Sequence, residues 1–196
     1  MPPPPPTCDP NLAGDCTYYY AEAESQVVTG PMPTLSSTAA SGGAYLSSEE
    51  PEVGQVEFNV EVSSSAPHVV WARILAPSAL ADSFFVAANG APEDVFDVAE
   101  GSWSRQWQWT QVNGRNGGAP LTLNPRVFSL EAGSNTLSFR SREVGAGIDV
   151  ILVTDDLSFV PTSVSCVGET LVEENAKFVS RRRRTVPMGS IMTAMH

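Results

Sequence analysis

Residues 55–62 read QVEFNVEV, the clearest alternation of apolar and polar side chains in this sequence. Val56, Phe58, Val60 and Val62 fall on one side of an extended backbone, and the polar residues between them fall on the other. Because successive side chains of a strand point to opposite faces, this pattern predicts a half-buried antiparallel strand. No segment keeps an apolar stripe at helical spacing over three turns, so the sequence favours an all-β fold.

Short runs of the same kind continue along the chain, separated by turns that contain Gly, Pro and Asn. They include HVVWARILA (68–76), SFFVAANG (83–90), RQWQWTQV (105–112), RVFSLEAG (126–133), SNTLSFRSRE (134–143) and GIDVILVTDD (147–156). About ten such strands, spaced about 8–12 residues apart, predict an antiparallel two-sheet β-sandwich of the jelly-roll type.

The first strand is predicted over TYYYAEAESQVV, residues 17–28. In a strand of that length Glu22 and Glu24 lie on the same face, because they are two residues apart. Residues 29–46, which are small and include two prolines, predict a loop that carries Tyr45 just after a Gly-Gly-Ala turn.

Composition divides the 196 residues into three parts. Residues 1–17 are a Pro-rich N-terminal extension, residues 18–161 hold the sandwich, and residues 162–196 are a C-terminal extension in which the strand pattern ends. No apolar run approaches the roughly 20 residues of a membrane span. The Pro-rich start has no basic region followed by an apolar stretch, so no signal peptide is expected there.

The formal charge is −11, from 11 basic and 22 acidic residues. Lys177 and Arg181–Arg184 supply five of those 11 basic residues, so the remainder of the chain is strongly acidic. An acidic body repels nucleic acid and anionic membranes, whereas its carboxylates suit a hard cation. The Arg run is short and has no accompanying aromatic residues, which favours a processing site or a docking tail over a nucleic-acid interface.

Three cysteines are candidates for a disulfide: Cys8, Cys16 and Cys166. A bond between Cys8 and Cys16 would close a short loop, and one between Cys16 and Cys166 would join the two ends of the sandwich. Either bond requires an exported protein. The spacing leaves both pairings open, and if Cys8 pairs with Cys16, Cys166 is a free thiol or an intermolecular partner. The sequence contains no C-x-x-C pair for structural zinc.

The residues for most catalytic mechanisms are missing. Only two histidines exist, His68 and His196, and neither belongs to a recognisable hydrolase, metalloprotease or nucleotide-binding motif. The 22 acidic residues leave a carboxylate pair for glycoside hydrolysis open as an alternative. We expect a protein that is not an enzyme.

All four tryptophans lie within residues 69–112. Trp107 and Trp109 share a face if their segment is extended, so one is expected in the core and the other near a rim. An apolar scaffold that presents aromatic and hydrogen-bonding side chains is suited to binding sugars, because sugar C–H patches stack on aromatic rings. The alternative is that the tryptophans serve only to fill the core.

Several short motifs occur in an order that resembles a known family. They are EAE (22–24), SGGAYL (41–46), VWARI (70–74), DSFFV followed by NG (82–90), W-x-W (107–109), NTLSFRSRE (135–143), GIDVILVTDD (147–156) and FVPT (159–162). Over residues 19–161 the chain resembles carbohydrate-binding modules of families 6 and 35, which have a galactose-binding-like jelly-roll fold.

The resemblance implies a structural Ca²⁺ held by Glu22, Glu24 and Asp149. It also implies a ligand site in the loops at one end of the sandwich, with Tyr45 as one aromatic residue and Trp103 or Trp107 as another. Calcium binds six to eight oxygen ligands, and carboxylates supply them well.

One position departs from the family pattern. The residue before the final-strand aspartate is often a ligand-binding asparagine, and here it is Ile148, which offers no hydrogen bond to a hydroxyl. Asn89 is a further candidate for ligand binding, and Asp82, Arg105 and Arg142 are unranked alternatives.

The resemblance therefore implies a secreted, non-catalytic module that binds a polysaccharide or glycan and is stabilised by Ca²⁺. A second hypothesis is a structural subunit of an extracellular filament or surface assembly. In that case the jelly roll is the building block, and the terminal extensions contact other copies or another surface protein.

Overall fold

The computed structural model describes residues 17–98, 101–115, 124–161 and 179–180. Their regular structure consists of strands and two one-turn 3-10 helices, Ala23–Ser25 and Ser41–Gly43. The strands are β1 (Thr17–Glu22), β2 (Val27–Thr29), β3 (Thr34–Ser36), β4 (Ala44–Ser47), β5 (Gln55–Val62), β6 (Ala66–Ala76), β7 (Ser83–Ala88), β8 (Asp94–Asp97), β9 (Ser104–Gln111), β10 (Asn113–Gly114), β11 (Asn124–Pro125), β12 (Phe128–Leu130), β13 (Gly133–Ser141), β14 (Gly147–Thr154) and β15 (Val179–Ser180).

The larger sheet is built on the antiparallel pair β6 and β14. On the side away from β14, the beginning of β6 pairs with β12 and the rest of it pairs with β9. On the side away from β6, the beginning of β14 pairs with β4 and the rest of it pairs with β1. Strand β3 pairs with β4, and β15 pairs with β1. The second sheet has the order β2-β5-β13-β7-β8. The fold is thus an all-β, antiparallel two-sheet sandwich, as the sequence predicted.

The core lies between the two sheets and follows the alternation in the sequence. Val56, Phe58 and Val60 are fully buried on β5, whereas Asn59 and Glu61 are exposed. Opposite them, residues from β6 and β14 complete the same apolar cluster. The Tyr19 hydroxyl joins the sheets by donating a 2.7 Å hydrogen bond to the Asn59 carbonyl.

Two details of the first 46 residues differ from the sequence prediction. The predicted strand over residues 17–28 is wrong as a single strand: β1 ends at Glu22, and Glu24 lies on a 3-10 turn before β2. The predicted loop over residues 29–46 contains β3 and β4. Strands of three or four residues are too short for a periodic pattern to reveal them.

Other sequence predictions lie outside the described residues. The described residues do not include Cys8, Cys16 and Cys166, so the pairing of these cysteines stays a prediction. The domain boundaries and the role of the two extensions in subunit contacts also stay predictions. From the C-terminal extension the structure describes only β15, which pairs with Thr17 and Tyr18. No helix in the described part of the chain has the length and apolarity to cross a membrane.

Removing a central aromatic ring should test the core directly. Phe139 is fully buried and contacts both Phe58 and Phe96 edge-on, with ring centroids 5.6 and 6.3 Å apart. We expect Phe139→Ala to lower the free energy of unfolding by about 3–5 kcal/mol, because the vacated volume cannot collapse fully. Urea denaturation followed by tryptophan fluorescence measures the change.

The matched control for that experiment is Leu80→Ala, since the Leu80 side chain is 82% exposed. A surface substitution of this kind should change the free energy of unfolding by about 0.5 kcal/mol or less. Equal effects of the two substitutions would contradict the described core.

Candidate functional site

Three carboxylates converge at one end of the larger sheet. Glu22, Glu24 and Asp149 each place a carboxylate oxygen within 4.8 Å of the other two. Asp149 is fully buried, and the two glutamates are half-buried. The structure therefore brings together the three residues that the family resemblance implied as metal ligands.

A different backbone feature positions each of the three carboxylates. Glu22 is the last residue of β1 and lies opposite Val150 of β14. Glu24 reaches the cluster from the 3-10 turn that follows β1. Asp149 lies at a β-bulge, because the pairing of β14 with β6 skips it between Ile148 and Val150. A bulge re-aims a side chain that regular alternation would point elsewhere.

The loop around Ser41 closes over the cluster. The Ser41 amide donates to both carboxylate oxygens of Asp149 at 3.1 Å, and the Ser41 hydroxyl donates to Glu22 Oε1 at 2.6 Å. Gly42 has φ 61°, and a Cβ at this position would lie 3.0 Å from Glu24 Oε1. A side chain at residue 42 would thus crowd the carboxylates, so the glycine leaves room beside them.

Burial acts on the charge of all three carboxylates. It raises the pKa of Glu24 to about 7 and that of Asp149 to about 6, and it also raises the pKa of Glu22. The amide of Ser41 and the guanidinium of Arg73 oppose this effect at Asp149. Removal from water disfavours the charged form of a carboxyl group, and a nearby positive charge favours it.

The donor set fits a hard divalent cation. Glu22 Oε2 and Glu24 Oε2 are buried and have no hydrogen-bond partner, which is a costly arrangement for a carboxylate oxygen. A cation with oxygen ligands would satisfy both atoms and offset the burial of negative charge. On this observation the residues suit Ca²⁺ better than zinc, which favours nitrogen and sulfur ligands.

An aromatic cavity adjoins this cluster. It has a volume of about 370 Å³ and is lined by Ser37, Ala39, Tyr45, Arg73, Leu75, Arg105, Gln106 and Trp107. Tyr45 and Trp107 meet edge-on, with ring centroids 4.9 Å apart and planes at 75°. The structure thus places Tyr45 and Trp107 together, as the resemblance implied, and both rings border an open cavity of ligand size.

Two residues that the sequence analysis did not select shape this cavity. A Cβ on Gly147 would lie 3.3 Å from the Tyr45 ring and 3.2 Å from Leu75, so the glycine lets the ring pack against the backbone of β14. Arg73 contacts Asp149 with one nitrogen, donates to the Ala39 carbonyl at 3.1 Å with another, and lies 5.5 Å from the Trp107 ring centroid. Arg73 therefore touches both the carboxylate cluster and the cavity.

A signal for Arg73 exists in the sequence, although it is weak. The arginine interrupts the apolar run HVVWARILA at an outward-facing position, where a charged side chain needs a partner. The partner, Asp149, depends on the bulge in β14, which no periodic pattern reveals.

Two other predicted ligand residues lie elsewhere. The Trp103 indole donates to Asp82 Oδ2 at 2.5 Å and packs partly against the core, outside the cavity lining. The second residue, Asn89, is described below.

Neither tryptophan of the W-x-W segment belongs to the core cluster, so the expectation that Trp107 or Trp109 fills the core is wrong.

Asn89 supports a hairpin rather than the cavity. It has φ 51° and, with Gly90, forms the predicted turn between β7 and β8. Its side-chain nitrogen Nδ2 donates to Asn135 Oδ1 at 2.9 Å, and its side-chain oxygen Oδ1 accepts from the Thr136 backbone amide at 2.8 Å. These bonds tie the turn to β13.

Of the three remaining candidates, two have partners outside the cavity and one lines it. Arg142 donates to Glu143 and to the Ser83 hydroxyl, both at 2.6 Å. Asp82 accepts from Trp103, and burial, its largest influence, raises its pKa to about 6. Arg105 alone of these alternatives lines the cavity.

Comparisons with known proteins agree with this architecture. An exo-β-1,3-galactanase from Phanerochaete chrysosporium, solved with galactose, superposes at a TM-score of 0.54 and 21% identity over 68% of this chain. The chain spans only 28% of that enzyme. A family 35 carbohydrate-binding module from Clostridium thermocellum gives a TM-score of 0.53 and 19% identity, over 68% of this chain and 96% of the module.

A third solved structure belongs to family 6. It is the C-terminal family 6 module of a marine laminarinase from Zobellia galactanivorans, with a TM-score of 0.52 and 14% identity, over 70% of this chain and 98% of the module. No protein-family model matches the sequence, and the search of curated proteins found no match. The fold is therefore the galactose-binding-like jelly roll of these modules, as the resemblance predicted.

The raised pKa of Asp82 predicts a pH-dependent stability. With a pKa of about 6 in the folded protein and about 4 in the unfolded chain, Asp82 binds its proton more tightly when folded. Its contribution is therefore greatest below pH 4, declines as the pH rises to about 6, and is constant above that. We expect the loss of stability between pH 4 and 6 to be smaller in Asp82→Asn than in the wild type, because asparagine imitates the protonated acid and still accepts from Trp103. Glu24 and Asp149, whose pKa values are also raised, keep their own contributions.

The measurement is urea denaturation of the wild type and the variant at several values between pH 4 and 7. Glu61→Gln on the exposed face of β5 is the control and should keep the wild-type slope. A slope that is unchanged in Asp82→Asn would refute the assignment.

Proposed function

We propose that this protein is a non-catalytic, extracellular carbohydrate-binding module. Its glycan ligand binds in the cavity beside Tyr45 and Trp107, and Ca²⁺ is held by Glu22, Glu24 and Asp149. The observation that carries the proposal is the edge-on pair of Tyr45 and Trp107 at the mouth of a cavity in a galactose-binding-like fold. The structural neighbours that carry binding modules of families 6 and 35 support it.

The chemistry of the cavity suits a sugar ring. The aromatic rings of Tyr45 and Trp107 offer surfaces for C–H patches, while Ser37, Gln106 and the guanidinium groups offer hydrogen bonds to hydroxyls. The cavity volume of about 370 Å³ lies at the small end of the range for ligand sites, about 300–1,000 Å³. One or two sugar units match that size better than a long chain does.

Calcium has a structural role in this proposal. When bound, it supplies positive charge among three buried or half-buried carboxylates that come from β1, the turn after it and β14. The chain's own residues do the rest: Ser41 orients Asp149 and Glu22, and the larger sheet holds β1 against β14.

The first test measures glycan binding by affinity electrophoresis on a panel of soluble polysaccharides. Truncation of a central tryptophan at a binding site costs about 2 kcal/mol or more, so Trp107→Ala should weaken retention about 30-fold. The same change at Trp109 is the matched control, because Trp109 lies on the same strand with similar burial but outside the cavity.

Two outcomes would refute this assignment. If wild type and variants alike show no retention on any glycan, the protein is not a carbohydrate-binding module. If Trp109→Ala weakens retention as much as Trp107→Ala, the ligand does not bind in the cavity.

The second test measures the effect of Ca²⁺ on stability. After treatment with EDTA, Ca²⁺ at a hundred times its dissociation constant should raise the free energy of unfolding by about 2.7 kcal/mol. For a domain of this size the melting temperature should rise by about 5–10 °C. Glu22→Gln combined with Glu24→Gln should abolish the increase, because amides are weaker cation ligands than carboxylates.

The matched control carries Glu57→Gln and Glu61→Gln, two changes of the same kind on β5, outside the carboxylate cluster. This control should keep the full response to Ca²⁺, and Mg²⁺ should substitute poorly because it demands a tighter octahedral shell. An absent response in the wild type, or an equal response in the Glu22/Glu24 variant, would refute the calcium site.

A further inference from the structure

We propose that Arg73 is an internal counter-cation of the carboxylate cluster: it holds Asp149 when no metal is bound, and it lowers the affinity of the cluster for Ca²⁺. This inference rests on the calcium site of the proposed function and adds the residue that sets how strongly that site binds. Of the four ion pairs among the described residues, only the one between Arg73 and Asp149 reaches the cluster.

The ion pair between Arg73 and Asp149 is largely shielded from water. The Asp149 side chain is fully buried, and that of Arg73 is 20% exposed. A second nitrogen of Arg73 donates to the Ala39 carbonyl at 3.1 Å, which ties the guanidinium to the loop that closes over the cluster. Solvent screens such a charge only weakly, so Arg73 acts strongly on any other charge placed beside Asp149.

The balance of charge shows why Arg73 opposes a metal ion. When ionised, the three carboxylates of the cluster carry three negative charges, and the guanidinium of Arg73 reduces this to a net of two. The affinity of a calcium site rises with the charge of its ligands. The cluster with Arg73 in place therefore attracts a dication less than the three carboxylates alone would.

The orientation of Asp149 does not depend on Arg73. The Ser41 amide lies 3.1 Å from both carboxylate oxygens, and this one donor already fixes the plane of the group. Arg73 contacts Oδ2, which the Ser41 amide also reaches, so a cation must approach Oδ1 or displace the guanidinium. A partner that orients a ligand strengthens metal binding, whereas the geometry gives Arg73 the competing role.

Without a metal, the same ion pair stabilises the fold. A buried carboxylate that loses its charge partner is strongly destabilising, and Arg73 is that partner for Asp149. Glu22 Oε2 and Glu24 Oε2 have no hydrogen-bond partner, and these are the atoms that a bound cation would satisfy. The cluster is thus divided between two cations, with Arg73 serving Asp149 and the metal serving the two glutamates.

Calcium titration of the metal-free protein tests the proposal. Isothermal titration calorimetry is run at about pH 8, where protons compete little with the cation. We expect Ca²⁺ to bind about tenfold more tightly, or better, to Arg73→Gln and Arg73→Met, because both substitutions remove the opposing charge. Arg73→Lys keeps that charge and should stay within about threefold of the wild type.

Thermal unfolding in EDTA gives a second readout, of opposite sign. The two neutral variants should melt about 10 °C lower than the wild type, because Asp149 loses its buried partner. Excess Ca²⁺ should then raise their melting temperatures by more than it raises that of the wild type. A variant that needs Ca²⁺ to fold is purified with it, and its affinity is measured by competition with a chelator.

The control is Arg140→Gln, which removes an arginine that pairs with Glu93 on the second sheet. This variant loses the same charge far from the cluster, so its calcium affinity should equal that of the wild type. A general effect of net charge on calcium binding would appear equally in Arg140→Gln and in Arg73→Gln, and would contradict the proposal.

Two further results would overturn it. If both neutral variants bind Ca²⁺ no more tightly than the wild type, Arg73 is an orienting residue or a bystander, and the calcium site itself stands. If wild type and neutral variants melt at the same temperature in EDTA, Asp149 needs no counter-charge. A wild type that binds no Ca²⁺ removes the calcium site from the proposed function and this inference with it.

Discussion

The buried charge of Asp149 is the constraint on which this end of the molecule depends. A fully buried carboxylate is costly unless it is paired and hydrogen-bonded. The β-bulge in β14 turns this residue toward the Ser41 amide and Arg73, which satisfy it. Satisfying one carboxylate therefore holds the loop at residue 41 against the paired strands β14 and β6.

The cavity is a product of the same arrangement. The loop at residue 41 leads directly into β4, which carries Tyr45, and Gly147 lets the Tyr45 ring approach β14. Trp107 enters from β9, on the opposite side of β6. The aromatic pair is therefore assembled from two strands that flank the central pair β6 and β14, and its geometry depends on backbone contacts rather than on a flexible loop.

Much of the fold was predictable from the sequence because burial on one face imposes a period of two, as in Gln55–Val62. The convergence of Glu22, Glu24 and Asp149 came from the resemblance and not from periodicity, since Glu24 lies on a turn and Asp149 on a bulge. The hydrogen-bond partners of Trp103 and Asn89 were missed for another reason. They are Asp82 and Asn135, which lie far away in the sequence, and no local pattern encodes such long-range bonds.

Arg73 faces two ways, and this has a thermodynamic consequence. Its guanidinium balances Asp149 on one side and lies over the Trp107 ring on the other. Any event that alters the charge of the carboxylate cluster changes how strongly Arg73 is held there, and so alters the field at the ring. If a cation or a proton on the carboxylates changes the affinity of a molecule for the Trp107 ring by some factor, reciprocity holds. Binding of that molecule then changes the affinity of the carboxylates for the cation or the proton by the same factor.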